Sequence, residues 1–424
     1  MIVNRARRVA LFVLVSFLAS MGHVETADAS ATGDQAAVIV VLRDGTHAPT
    51  VAAEHAAAHA FAVSHVYEHA LSGYAAHVPA QRLSLIASDP RVLFISADNA
   101  VSATDTLPTG VDRIDGDLSS QQSGNGSGSV GVAVAIIDTG SGPHSDLNVV
   151  GGKNCSTGHN FADGNGHGTH VAGTVAARNN GSGVVGVAPG APIYSVRVLN
   201  NQGSGFWSWI ICGIDWVTAN AARLGIKVAN MSLGGSGSDD RSCGNTNSDA
   251  LHKAICGSVA AGVTYVVAAG NSAIDFKNFV PAAYDEVLTV TAVADFNGQP
   301  GGGGGPTCRT DVDDTAADFS NFTTPEVGSD AGHTIAAPGV CILSTWKGGG
   351  YNTISGTSMA SPHVAGTAAR CINSGKCTPA PTDIILKLRA AAAAQLPSYG
   401  FKEDPNSSST GSPYYGYLVY AGGY

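Results

Sequence analysis

The sequence predicts a doubly wound, mostly parallel α/β domain with helices on both faces of its sheet, preceded by a small α+β unit. Two observations carry this. From about residue 130 onward, runs of small and β-branched apolar residues alternate with helix-length segments, the pattern of parallel strands buried on both faces. Before that, residues 36–101 read as strand, helix, two extended segments, helix and strand. Size and composition agree: 424 residues can bury one large core and a smaller one, and 54 glycines with 13% charged residues suit a loop-rich globule.

The chain opens with Arg5, Arg7 and Arg8, an apolar stretch from Val9 to Ala19, and a small-x-small site at Ala27-Asp28-Ala29. This is the pattern of a secretory signal ending at residue 29. The stretch falls short of the roughly 20 residues that span a bilayer, so the mature protein is expected to be exported and soluble, with no membrane partner. Lys+Arg 22 against Asp+Glu 32 gives a net charge of -10, which argues against nucleic acid as the main partner.

Residues 30–103 form the first unit. AVIVVL is its first strand, VAAEHAAAHAF a helix, VSHVYEHALSGYAAHVP two extended segments, AQRLSLIASDP a second helix and VLFISADNAV a last strand. Six of the 14 histidines lie here: His47, His55, His59, His65, His69 and His77. They are either surface residues or a means of tuning the unit between about pH 5 and 7, where imidazole takes up a proton. A linker, SATDTLPTGVDRIDG, leads to the larger unit.

There VAVAIID, IYSVRVL, IKVANMSL, VTYVVAAGN and VLTVTAVA read as strands. GHGTHVAGTVAA, FWSWIICGIDWVTANAARLG, SDALHKAICGSVAAG and GTSMASPHVAGTAARCI read as helices. Such a sheet places its site at the carboxyl ends of the strands. Glycine-rich stretches at 234–245 and 298–306 are expected as surface insertions. All eight cysteines lie beyond residue 150, and an even number in an exported chain suits a disulfide framework. Sequence alone does not resolve the connectivity. Proximity favours Cys243 with Cys256 and Cys371 with Cys377, which leaves Cys308 with Cys341 and Cys155 with Cys212. No CxxC supports a zinc site in their place.

Asp138, in IIDTG, ends a buried strand. An aspartic protease would need a second such turn to share a proton between two carboxylates, and no second Asp-Thr-Gly or Asp-Ser-Gly exists. A strand-end acid or a partner for histidine remains. GNGHGTHVAGT offers His167 and His170 at a helix start, a poor zinc motif without a nearby glutamate. GTSMASPHVAG sets Ser358 at the N-terminus of an apolar helix, where developing negative charge is favoured, although serine there is often only a cap. Asn271, in AAGNS, ends another strand and could donate to an oxyanion.

IIDTG, GNGHGTHVAGT, NMSLGG, AAGNS and GTSMASPHVAG, in that order, resemble the subtilisin-like serine proteases in their proteinase K and bacterial secreted branches. The resemblance implies the family's fold over residues 104–424, with 30–103 a ferredoxin-like inhibitory propeptide that also acts as intramolecular chaperone. It implies Ser358 as nucleophile, His167 as base, Asp138 as the acid that orients it, and Asn271 with the Ser358 N–H as oxyanion hole. Ser232, Leu233, Gly234, Ala269 and Gly270 match the walls of the family's S1 pocket, and being small and uncharged they imply broad cleavage with an apolar P1 preference. Cleavage of the propeptide is expected near Ala103 and Thr104. Asp105, Asp146 and Asn180 match ligands of a structural calcium ion, and no cofactor is implied for the chemistry. The partners implied are protein and peptide substrates, and a monomer is expected. A noncatalytic relative or a peptide ligase using the same acyl-enzyme are the rival readings.

Overall fold

The computed structural model describes residues 35–98, 105–120, 129–325, 330–407 and 413–424. The signal segment 1–29 and the expected cleavage near Ala103 and Thr104 lie outside these residues. The chain divides into two compact units, residues 1–101 and 102–424.

The first unit runs β1 (Gln35–Leu42), α1 (Ala48–His59), β2 (Val63–Tyr67), β3 (Gly73–Pro79), α2 (Leu83–Ala87) and β4 (Val92–Ala97). Its antiparallel sheet has the order β2-β3-β1-β4. Alternation along the strands turns Val38, Val40 and Leu42 of β1 with Tyr74, Ala76 and Val78 of β3 to one face, against Val51 and Ala52 of α1 and Ile86 of α2. The second helix is shorter than AQRLSLIASDP suggests: Ala80–Arg82 is a 3-10 turn and only five α-helical residues follow. Asp89 precedes Pro90, which disfavours the helical region one residue earlier and stops the helix. Of the six histidines, His55 is buried, paired with the Tyr74 hydroxyl at 2.7 Å and with Asp89 at 3.0 Å. His47, His65, His69 and His77 are exposed.

The second unit begins with α3 (Thr109–Arg113), then β5 (Ala133–Asp138), β6 (Val149–Asn154), α4 (His167–Ala176), β7 (Ile193–Arg197), α5 (Trp207–Leu224) and β8 (Ile226–Met231). It continues through β9 (Gly235–Ser236), α6 (Ala250–Ala260), β10 (Thr264–Ala268), β11 (Phe279–Val280), β12 (Leu288–Ala294) and β13 (Thr315–Ala316). β14 (Thr334–Pro338), the hairpin β15 (Ile342–Trp346) and β16 (Gly350–Ile354), α7 (Thr357–Asn373) and α8 (Pro381–Ala393) complete it. The main sheet has eight strands, in the order β6-β7-β5-β8-β10-β12 with β14 and β13 both on β12. Every pairing is parallel except β12 with β13.

Both faces of this sheet are buried, and the two-residue period of the strands assigns each side chain to one of two cores. Val134 and Ile136 of β5, Val228 of β8 and Val266 of β10 pack with α4, α7 and α8. Ala133, Ala135 and Ile137, with Ala229, Met231, Tyr265 and Val267, pack with α5 and α6 on the other face. Strand order reverses at β5, with β7 and β6 on one side and β8, β10 and β12 on the other, so its carboxyl end borders the crevice where such folds hold their ligands.

The cysteines pair as Cys155–Cys212, Cys243–Cys256, Cys308–Cys341 and Cys371–Cys377, and none is free. The 298–306 stretch is on the surface but anchored. Backbone N–H groups of Gly298, Gly301, Gly302 and Gly304 donate to the buried carboxylates of Asp295, Asp314 and Asp313.

Candidate active site

Asp138 is the last residue of β5 and is fully buried. Its Oδ1 accepts from the Thr139 backbone N–H at 2.7 Å and from His167 Nδ1 at 2.8 Å, while Oδ2 is buried without a hydrogen-bond partner. An accepting carboxylate fixes the proton on Nδ1 and leaves Nε2 as the basic nitrogen. Burial of the imidazole disfavours its charged form, but the Asp138 charge and hydrogen bond, with the charge of Asp163, outweigh this and raise the His167 pKa above its ordinary value. His167 begins α4, and Asp163 builds the turn that leads there by accepting from the N–H groups of Asn165, Gly166 and Thr169 and from the hydroxyls of Thr139 and Thr169. His170, one turn on, is different in kind. It is fully buried, with Nε2 bonded to the Ile342 and Asn352 carbonyls, and burial lowers its pKa to about 3.

Ser358 is the second residue of α7 and half-buried. Pro362, four residues on, has no N–H to offer the Ser358 carbonyl. That carbonyl accepts instead from the Ser232 hydroxyl at 2.8 Å. Ser232 in turn accepts from Asn230 Nδ2, whose Oδ1 accepts from Ser361, so the end of β8 clamps the first turn of α7. Ser358 Oγ donates a long bond, 3.3 Å, to the Ser232 carbonyl. No hydrogen bond joins Ser358 to His167, and catalytic contacts of this kind commonly tighten only around substrate.

Asn271, exposed just beyond β10, accepts at Oδ1 from the Thr357 N–H at 2.8 Å and the Thr357 hydroxyl at 2.9 Å. The vacant side-chain position of Gly356 is 3.5 Å from Asn271 Nδ2 and 3.6 Å from Ser358 N, so both donors border one small void.

A cleft of about 740 Å³ opens beside His167. Ser232, Leu233 and Gly234 line it with Leu199, Phe206, Trp207, Ile210 and Asn165, and no acidic or basic side chain other than His167 does. Ala269 and Gly270 are buried and do not line it; the Gly270 N–H instead bonds the Thr357 hydroxyl at 3.1 Å. Sequence reasoning passes over Asp163, Asn230, Pro362, Phe206 and Trp207. The Asp-Gly-Asn-Gly turn before His167 and the proline after Ser358 were the available signals.

Residues 129–395 match the family model described as the subtilase family, and residues 37–104 match that of peptidase inhibitor I9. The chain belongs to the subtilase family. This subtilase is 42% identical over 269 residues to subtilisin DY of Bacillus licheniformis, covering 62% of this chain and 84% of that one. It is 39% identical over 282 residues to alkaline elastase YaB of Bacillus sp. (strain YaB), where the match spans 66% of this chain and 64% of the relative's length. A crystal structure of a cold adapted subtilisin-like serine proteinase matches with a TM-score of 0.54 and 33% identity, over 75% of this chain and 99% of that one. No helix among the described residues of the subtilase is long and apolar enough to cross a membrane.

The three residues expected to hold calcium meet at the loop after α4. Asp105 Oδ2 accepts from the Gly181 N–H at 3.0 Å, and Asn180 Nδ2 donates to Asp146 Oδ1 at 3.0 Å. Asp105 Oδ1 is buried with no hydrogen-bond partner. Two carboxylates, one with an unused buried oxygen, suit a hard cation, while Asn180 turns its amide nitrogen to Asp146 and its oxygen to the Ser182 N–H.

Proposed function

We propose that this subtilase is a secreted serine endopeptidase, made as a zymogen that removes residues 30–103 itself, with broad specificity and a preference for apolar P1 residues. The observation that carries the reading is the Asp138–His167 pair, set where β5 ends and α4 begins. Ser358 Oγ attacks the scissile carbonyl and passes its proton to His167 Nε2, and Asp138 stabilises the imidazolium without taking the proton. Asn271 Nδ2 and the Ser358 N–H stabilise the oxyanion. His167 then protonates the leaving amine, and water repeats the sequence on the acyl-enzyme. The uncharged stretch from Ser232 to Gly234, which Ser232 bonds to Ser358, supports apolar P1 residues, and the I9 match supports self-inhibition by the first unit. The basic and apolar N-terminus, with four disulfides in the chain, supports export. Asp105, Asp146 and Asn180 would hold a calcium ion that ties the start of the mature chain to the 180–184 loop and takes no part in the reaction.

Casein digestion tests this. Wild type should hydrolyse casein, and both Ser358→Ala and treatment with phenylmethanesulfonyl fluoride should abolish it. Hydrolysis retained by Ser358→Ala would refute the assignment. Among peptide anilides, those with Leu or Phe at P1 should exceed those with Lys or Glu in kcat/KM.

A further inference from the structure

The first glycine-rich insertion brings a second polar cluster to α6, apart from the chemistry above. His252 is fully buried, and its ring is stacked on Tyr284 with centroids 4.0 Å apart and planes 2° from parallel. Nε2 is 2.9 Å from Glu286 Oε2. Nδ1 has no hydrogen-bond partner, yet it lies 3.2 Å from Asp240 Oδ1 and 3.5 Å from Asp239 Oδ1. Those side chains are only 4% and 9% exposed, and Asp239 Oδ2 is also buried without a partner. The Asp240 carboxylate is held by the N–H groups of Ser242, Gly244 and Thr246, and the Cys243–Cys256 disulfide ties this loop to the helix that carries His252.

We propose that His252 Nδ1, Asp239 and Asp240 form a binding site for a divalent transition-metal ion, zinc above all. Bonds of about 2.0–2.1 Å to a tetrahedral zinc place neighbouring ligand atoms about 3.3 Å apart, which the 3.2 and 3.5 Å separations bracket. Two carboxylates neutralise the ion. Glu286 on Nε2 is the outer carboxylate that a metal-bound imidazole ordinarily has, fixing the tautomer that frees Nδ1. An imidazole ligand selects zinc over calcium, which takes oxygen donors. Water completes the coordination. Without metal, the same ring would have to be an imidazolium ion-paired with three carboxylates, and the experiment separates the two.

The full-length protein, inactivated with phenylmethanesulfonyl fluoride to prevent self-digestion, is stripped with EDTA, incubated with zinc chloride and gel-filtered, and its zinc content and Tm are measured. Wild type should retain one zinc per chain and melt higher with zinc than without. Asp239→Asn and His252→Gln should retain none and show no shift. Glu286→Gln should bind about 10- to 100-fold more weakly. Asp146→Asn, in the calcium cluster, should bind zinc as wild type does. Cobalt(II) in place of zinc should give the intense visible absorption of a tetrahedral site in wild type only. Zinc content no higher in wild type than in Asp239→Asn, or no uptake by wild type, would overturn the proposal and leave His252 as the centre of a purely ionic cluster. Should His252→Gln fail to fold, Asp239→Asn decides alone.

Discussion

His167 sets the pH at which the proposed reaction runs. Its neutral form is the base, and its pKa is raised above 6.5 because Asp138 and Asp163 outweigh the burial of the ring. The acid limb of kcat/KM should therefore have its midpoint above pH 6.5, and Asp138→Asn should move it down while lowering kcat by about 10⁴. The same shift links to stability. A raised folded-state pKa contributes stability that is complete below the unfolded value and is lost as pH rises through the folded one. The inactivated protein should lose this contribution as the pH rises above 6.5 and through the raised pKa, and Asp138→Asn should remove that part of the pH dependence of Tm. Asn271→Ala should cost about 10²–10³ in kcat with little change in KM, the range known for removing this donor from a subtilisin. Asp138, His167, Asn271 and Ser358 are legible in the sequence because chemistry dictates their type and their motifs surround them. Asp163 and Asn230 are not, and Ser232 is read only as a pocket wall, because what they do depends on partners that the fold supplies: a turn, a neighbouring strand, and a carbonyl that Pro362 leaves without its helical N–H.

At the scale of elements, α7 is the most constrained. It carries Ser358 and is buried along nearly its whole length, and Gly366 lies where a Cβ would come within 2.6 Å of Val187 Cβ. Gly366→Ala should lower stability by about 1–3 kcal/mol, read as a fall in Tm, because the close approach leaves no room for a methyl group. The strongly apolar strands and the helices α4, α5, α6 and α7 were readable from periodicity, since both faces of β5, β8, β10 and β12 are buried. β6 (VVGGKN) was not, because its two glycines and exposed lysine give no apolar run. β14 and the β15–β16 hairpin are short and polar in places, and α8 is an alanine-rich segment whose buried face is only Ile384, Ile385, Leu388 and Ala392. The insertion at 298–306 reads as loose low-complexity sequence, yet its glycine N–H groups donate to one oxygen of each of three buried carboxylates.

At the scale of the molecule, cross-links bear on stability. The Cys155–Cys212 bond closes the longest loop of the four, 57 residues in separation, and replacing both with serine should cost about 4 kcal/mol, measured by denaturant unfolding of the inactivated protein. EGTA should lower the Tm of wild type and leave that of Asp146→Asn unchanged if calcium binds at Asp105, Asp146 and Asn180.

The central claim is that Ser358 is the nucleophile, activated by His167 and Asp138. Intact-mass analysis and peptide mapping after reaction with a fluorophosphonate test it most directly. The account predicts one adduct per chain, on Ser358, forming fast at pH 8 in wild type and at least a hundredfold more slowly in His167→Ala. An adduct on another residue, or proteolysis that continues while Ser358 is fully modified, would contradict it.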